Sequence, residues 1–236
     1  MCTIIQHYWL GRLGIVKIKV VGISGSPVKD GNTDVLLAKV LSELKTDDVD
    51  TEFIGLAQKH IGGCIHCNWC TRKQTAEKLC ALTDDLDEIY PKLLGADVIL
   101  FATPVYFGRL SGPLADLIDR CRVGVHGNVY KHAFKDKVGA GFAVSWFRQG
   151  GIETTLISLH SAFFILDMIP VSPGMTSVFG GCGVSSYHGE GACEKGDKLS
   201  ILKDEFGLAA SKKTAQRAVE VAKLLKAGGL YLGTAN

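Results

Sequence analysis

No run of lysine and arginine long enough to track a phosphate backbone occurs in these 236 residues, and the net charge is only +2. That balance argues against a nucleic-acid surface. Long apolar runs are missing too. The most hydrophobic stretches, ADVILFAT and LHSAFFILDMIP, fall far short of the roughly 18 uninterrupted apolar residues that a membrane span needs. The opening MCTIIQHYWLGRLGIV has no basic leader, no long apolar stretch and no small-residue cleavage site after it, so it does not read as a signal peptide. We expect residues 1–16 to form an N-terminal extension before the fold begins near Lys17 and runs to residue 236. Repeats and low-complexity tracts are absent. Without a secretion signal, eight cysteines in a chain of this size argue against a disulfide scaffold and for a reducing, cytoplasmic setting.

What is present is an ordinary globular balance, with 47% hydrophobic and 21% charged residues. Short apolar runs alternate with longer amphipathic segments, as in βα units around a parallel sheet. IKVVGIS (18–24), DTEFIGL (50–56), DVILFATP (97–104), KVGAGFAVS (137–145) and IPVSPG (169–174) read as strands. Helices are expected over 32–45, 83–94, 111–121, 151–168 and 207–228. Thr83 is the expected cap of the second helix, Pro91 should kink or shorten it, and glycines should end the last. Residues 176–206 read as long and irregular. The pattern fits a doubly wound α/β fold: a five-stranded parallel sheet of order 2-1-3-4-5 with helices on both faces.

In that order, three loops converge on the carboxyl rim of the sheet. GISGSPVKDGNTD (22–34) joins a buried strand to a helix start, where free N–H groups and the dipole favour an anion. Ser24, Ser26, Asn32 and Thr33 add donors, and Gly25 and Gly31 permit close approach. The dinucleotide fingerprint is absent, and Asn32 and Thr33 stand where a nucleotide-hydrolysing loop needs lysine and Ser/Thr. Such a loop suits a terminal phosphate bound without metal, as in FMN. The loop after the third strand, with Thr103, Pro104, Val105, Tyr106, Phe107 and Gly108, is stiff and aromatic and suits a planar ring. SWFRQGG (145–151) adds Trp146 and paired glycines on the same rim.

GGCIHCNWC (62–70) spaces Cys64, Cys67 and Cys70 at two-residue intervals, and Cys80 follows after nine more residues. Such a triplet wraps three corners of a [4Fe–4S] cube and takes a remote fourth thiolate. Zinc more often takes two separated pairs, and free or disulfide-forming thiols are the third possibility. Topology places this loop just beyond the second strand, on the same rim as the phosphate loop, within electron-transfer reach of a flavin in this chain or a neighbouring subunit.

GISGSPVKDGNT, TPVYFGRLSGPLADLIDR and the cysteine triplet between them together resemble the NADPH-dependent FMN reductase-like flavoproteins of flavodoxin fold, and among these the iron–sulfur flavoproteins. The resemblance implies FMN phosphate on Ser24, Ser26, Asn32 and Thr33, with Pro27 and Asp34 completing the loop. It implies the isoalloxazine near Pro104, Val105, Tyr106, Phe107 and Gly108, and near Ser145, Trp146, Gly150 and Gly151. It further implies a [4Fe–4S] cluster on Cys64, Cys67, Cys70 and Cys80. The family places its fourth cysteine four to seven residues after the third, so the nine-residue gap leaves Cys182 and Cys193 as outside candidates. No general acid or base is implied, because the cofactors carry the chemistry. The expected role is electron transfer between cluster and FMN. Donors would be ferredoxin-like or NAD(P)H, acceptors would be small molecules such as dioxygen, peroxide or quinones, and the assembly a homodimer or homotetramer. The rival readings are an NAD(P)H-dependent FMN or quinone reductase without a cluster, and a zinc or thiol redox-sensing module.

Overall fold

The computed structural model describes residues 16–193 and 195–232; the expected extension therefore lies outside the described residues except for Val16. The chain alternates strand and helix. In order come β1 (Ile18–Ser24), α1 (Asn32–Leu44), β2 (Val49–Gly55), α2 (Trp69–Arg72), α3 (Leu86–Leu94) and β3 (Val98–Pro104). They are followed by α4 (Gly112–Arg120), α5 (Arg122–Val125), β4 (Val138–Ser145), α6 (Ile152–Ile165), β5 (Ile169–Pro170), β6 (Gly181–Val184) and α7 (Glu205–Leu232). All strand pairs are parallel, in the order β2-β1-β3-β4-β5, with β6 also on β4.

Both faces of the sheet are covered, which explains why β1, β3 and β4 are apolar without alternation. Alternate residues nevertheless serve different layers. Val21, Ile23, Ile99 and Phe101 face α3, α4 and α6, while Ile18, Val20, Val98 and Leu100 face α1 and α7. Phe101 stacks on Phe163 of α6, with ring centroids 5.4 Å apart. Gly139 leaves room for that pair: a Cβ there would lie 2.6 Å from the Phe163 ring.

Four expectations change. The fifth strand position is divided. Ile169 and Pro170 pair with the start of β4, and Gly181–Val184 pairs with its end, so the sheet has six strands. Residues 176–206 are correspondingly not wholly irregular, since they contain β6 and a short 3-10 turn, Ser200–Lys203. α3 begins at Leu86 with Asp85 rather than Thr83 at its cap position, and Asp84 Oδ1 accepts the Leu86 N–H at 3.1 Å at its entry; Pro91 lies inside it. α7 continues past Gly228 and Gly229 to Leu232, since helix propensity is a weak prior and glycine lowers it without forbidding a helix.

Candidate functional site

The first two loops are built as one unit. β1 ends at Ser24, and the Gly25 N–H donates to Ala102 O at 2.8 Å. Ser111, at the mouth of α4, does not cap its helix; its Oγ donates to Gly25 O at 2.6 Å instead. Its N–H is held by Thr103 Oγ1 at 2.9 Å. Gly25 is required here because a Cβ would lie 2.5 Å from Leu114 Cβ.

Of the expected donors, Ser24, Ser26 and Asn32 are engaged by protein partners. Ser24 Oγ donates to Asp34 Oδ1 (2.5 Å), and the Asp30 N–H donates to Asp34 Oδ2 (2.9 Å). Burial lifts the Asp34 carboxyl above its usual range, against those two hydrogen bonds. Ser26 Oγ donates to Val28 O and accepts the Val28 N–H, closing a turn around Pro27. Asn32 Nδ2 donates to Lys198 O at 3.1 Å, and Asn32 Oδ1 accepts the Ile201 N–H at 3.0 Å. This side chain therefore ties the loop to the 198–201 segment. The first intrahelical bond of α1 runs from the Val35 N–H to Gly31 O. The N–H groups of Asn32 and Thr33 precede it and point out of the helix toward the loop. The anion-binding capacity of the loop thus rests on backbone N–H groups and the helix end more than on the hydroxyls of Ser24 and Ser26.

The ring loops meet across the rim. Phe107 and Gly108 take left-handed φ angles of 52° and 75°, closing a turn in which Tyr106 and Arg109 exchange backbone hydrogen bonds. Gly151 has φ 99°, and a Cβ there would lie 2.6 Å from Gly108 Cα. Thr154 Oγ1 ties α6 to Gly108 O at 2.8 Å. Pro104 and Val105 lead into this turn and are partly covered, whereas Tyr106, Phe107, Trp146 and Phe147 are exposed. Ser145 is buried at the end of β4, and a Cβ on Gly150 would lie 2.3 Å from its Oγ. A turn from β6 clasps this loop: the Ser185 N–H donates to Ser145 O, Ser186 Oγ donates to Trp146 O, and the Arg148 N–H donates to Gly189 O. An exposed aromatic cluster at the carboxyl rim is a surface that a planar ring would cover.

The cysteines line one cavity. Cys64, Cys67, Cys70 and Cys80 border one small, partly open pocket, with His66, Leu82, Arg120 and Arg122 in its wall. Neither Cys182, on β6, nor Cys193 lines it. His66 and Asn68 adopt left-handed φ angles of 51° and 56°, which curl the loop; both residue types tolerate that region better than most. Arg72 donates to Cys67 O and Asn68 O, and the Asn128 N–H donates to Cys70 O at 2.9 Å. Burial pushes the Cys70 thiol up, while Arg122 beside it pulls the other way. Cys121 is fully enclosed, pushed up to about 12 by burial, and is a core residue.

The nine-residue gap before Cys80 is bridged by a buried side chain. Gln74, 3% exposed, donates to Leu79 O and Val123 O and accepts the N–H groups of Val129 and Tyr130. All of its hydrogen-bonding capacity holds the strand of loop next to Cys80 against the 123–130 segment. Arg120 anchors the other end of the loop, donating to Gly62 O and Asp84 Oδ2, both at 2.8 Å. Gln74, Asp84, Arg120, Arg122 and Asn68 were not singled out from sequence. One signal was available: Arg120 continues the apolar stripe of Leu114 and Leu117, and an arginine there requires a buried acceptor.

The cavity is not on the rim itself. α4 runs away from the ring loops, and Arg120, its ninth and last residue, lies about 12 Å down its axis. The cysteine site therefore sits on the flank of the sheet, below the rim.

Does this donor set fit a metal group? Among the described residues no group of three or more histidine, cysteine or carboxylate side chains is arranged to hold a metal ion. The thiols border a space instead of converging on a point. A single zinc draws all its ligands to about 2.3 Å from one centre, whereas a [4Fe–4S] cluster takes its thiolates on separate irons. Two buried side-chain nitrogens have no acceptor, Arg120 Nε and Arg122 Nε, and both belong to the cavity wall. A sulfur-rich anionic group would supply what they lack, so the residues fit a cluster better than a single ion.

Residues 18–180 match the profile of the family described as NADPH-dependent FMN reductase. An iron–sulfur flavoprotein of Methanocaldococcus jannaschii is 38% identical over 210 residues, covering 89% of this chain and all of that protein. One from Archaeoglobus fulgidus is 32% identical over 86% of this chain and 96% of its own length. The structure of a flavodoxin, WrbA-like protein from Agrobacterium tumefaciens superposes with a TM-score of 0.55 at 18% identity, covering 86% of this chain and 99% of that one, and shows the fold alone. With a family match across most of the sheet and relatives aligned over nearly their full length, this chain belongs to the NADPH-dependent FMN reductase family, whose members are flavin-dependent oxidoreductases using FMN.

Proposed function

We propose that this protein is an iron–sulfur flavoprotein that passes electrons between a [4Fe–4S] cluster and FMN and on to a small acceptor. One observation carries the reading: four cysteines line a single cavity whose wall contains two arginines with acceptorless buried N–H groups. The iron–sulfur relatives support it. Bound together, the two groups couple one-electron to two-electron chemistry.

The residues do the rest. The N–H groups of Asn32 and Thr33 at the start of α1 receive the FMN phosphate, and the loop of Ser24, Ser26, Pro27 and Asp34 holds their backbone in place. Tyr106, Phe107 and Trp146 cover the ring, and Gly108, Gly150 and Gly151 let the backbone approach it. Cys64, Cys67, Cys70 and Cys80 hold the cluster in a reducing cytoplasmic setting. The donor is NAD(P)H or a ferredoxin-like protein. Because the cavity lies below the rim, a second copy of the chain can bring its own flavin to it. The exposed Ile157, Phe164 and Ile165 of α6 offer the surface for that assembly.

The test is anaerobic purification followed by iron, sulfide and flavin quantification. We expect about four irons and one FMN per chain, and Cys67→Ala should lose iron while keeping FMN. FMN without iron, together with NAD(P)H-driven flavin reduction, would establish the cluster-free reductase that the family profile also accommodates. Zinc without flavin would establish a thiol module.

A further inference from the structure

Arg120 and Arg122 stand on either side of Cys121, and both line the cysteine cavity. Their electrostatic situations differ. Arg120 is 1% exposed and is neutralised by Asp84 at 2.8 Å. Arg122 has only neutral partners. Its Nη2 donates to Asn68 Oδ1 at 2.7 Å, its charge acts on the Cys70 thiol beside it, and its buried Nε has no acceptor. Asp119 borders a neighbouring cleft with it, yet no ion pair joins Arg122 to a carboxylate among the described residues. A partly buried cation without a counterion is costly and is retained where an anion completes it.

We propose that Arg122, held by Asn68, is a positioning residue that offsets the charge of the cluster and raises its reduction potential. This rests on the cluster reading above. Reduction adds one electron to the cluster and no other charge. A fixed cation in the wall of the cysteine pocket stabilises the reduced form more than the oxidised one. Arg120 contributes little to this difference, because Asp84 cancels its charge close by. The loop geometry serves the same end. Asn68 is left-handed, which turns its side chain to Arg122 while its carbonyl is occupied by Thr71 and Arg72.

An EPR-monitored redox titration of the purified holoprotein tests this, with iron and sulfide measured on the same samples. Arg122→Gln should keep its iron and move the midpoint to a more negative potential. At the parent midpoint its reduced-to-oxidised ratio should fall about tenfold, which for a one-electron couple is about 59 mV. Arg122→Lys should recover part of the shift. Asn68→Asp should reproduce the shift with the arginine in place, since aspartate tolerates the same left-handed backbone and neutralises the guanidinium. Unmoved midpoints in both Arg122→Gln and Asn68→Asp, with iron intact, overturn the proposal. Loss of iron from Arg122→Gln with an unmoved midpoint in Asn68→Asp also overturns it, and assigns Arg122 to the scaffold. A parent protein without iron or sulfide defeats the cluster reading itself, and this inference falls with it.

Discussion

Among the described residues, Asp84 and Arg120 form the one ion pair around the cysteine loop in which a fully buried cation depends on a single carboxylate. Arg120 is 1% and Asp84 14% exposed. Burial opposes the charge on Asp84, but Arg120 and the N–H groups of Gly62 and Leu86 hold its carboxyl below the usual range. Burial likewise opposes the charge on Arg120, and Asp84, with Tyr90 and Cys80, outweighs it. Removing one partner leaves the other charged and unpaired, so Asp84→Ala should cost about 3–5 kcal/mol, read as a lower denaturation midpoint. The depressed carboxyl also gives a pH dependence of known sign. A group more acidic in the folded than in the unfolded state stabilises fully above its unfolded value, about pH 4. That contribution is lost as pH falls through the lower folded value. Urea melts of the parent between pH 5 and pH 2 should therefore lose stability in this window, and Asp84→Asn should flatten that part of the profile.

Among the elements, the loops on the rim carry more constraint than the strands that lead to them. β1, β3 and β4 are set largely by their apolar composition, which fills two buried faces, with Gly139 on β4 fixed by the Phe163 ring beside it. The junction of the 104–108 and 145–151 loops has a narrower solution. Gly151 combines a left-handed φ of 99° with an approach to Gly108 that leaves no space for a Cβ. Gly151→Ala should open the two loops and weaken FMN binding by about tenfold or more, the equivalent of the 1–3 kcal/mol typical of such backbone strain. Flavin fluorescence titration of the apoprotein measures this, and iron content should be unchanged, because the cavity is anchored on α2, α4 and α5. Gln74 works at the same scale. It converts an unusually long gap between cysteines into a fixed distance, using one buried side chain in place of a shorter loop.

At the scale of the whole molecule, the exposed face of α6 stands out. Ile157, Phe164 and Ile165 are exposed on a helix whose other face packs Leu156, Leu159 and Phe163 into the core. Such a surface suits the assembly proposed above, and Ile165 borders the cleft that also contains Cys64 and His66. Phe164→Glu should shift the protein to a smaller assembly by light scattering. It should also slow electron exchange between cluster and flavin if the two come from different chains. None of the helices among the described residues is long and apolar enough to cross a membrane.

The sequence by itself determined the layered α/β architecture, the strand order, the three loops on the carboxyl rim and the spacing of the cysteine triplet. These follow from local chemistry: apolar runs, helix starts, and glycines at turns are written in contiguous residues. Only the tertiary structure decided that the fifth strand position is shared by two short strands, because a four-residue strand such as GCGV pairs through β4 and not through its own pattern. Only the tertiary structure placed Cys80 beside the triplet, through Gln74 and a segment about 50 residues further along. It also turned Ser24, Ser26 and Asn32 toward protein partners, and set the cysteine cavity on the flank below the rim. Each of these depends on pairs distant in the chain, and a hydrogen bond or a buried charge across such a distance leaves almost no periodic trace in sequence.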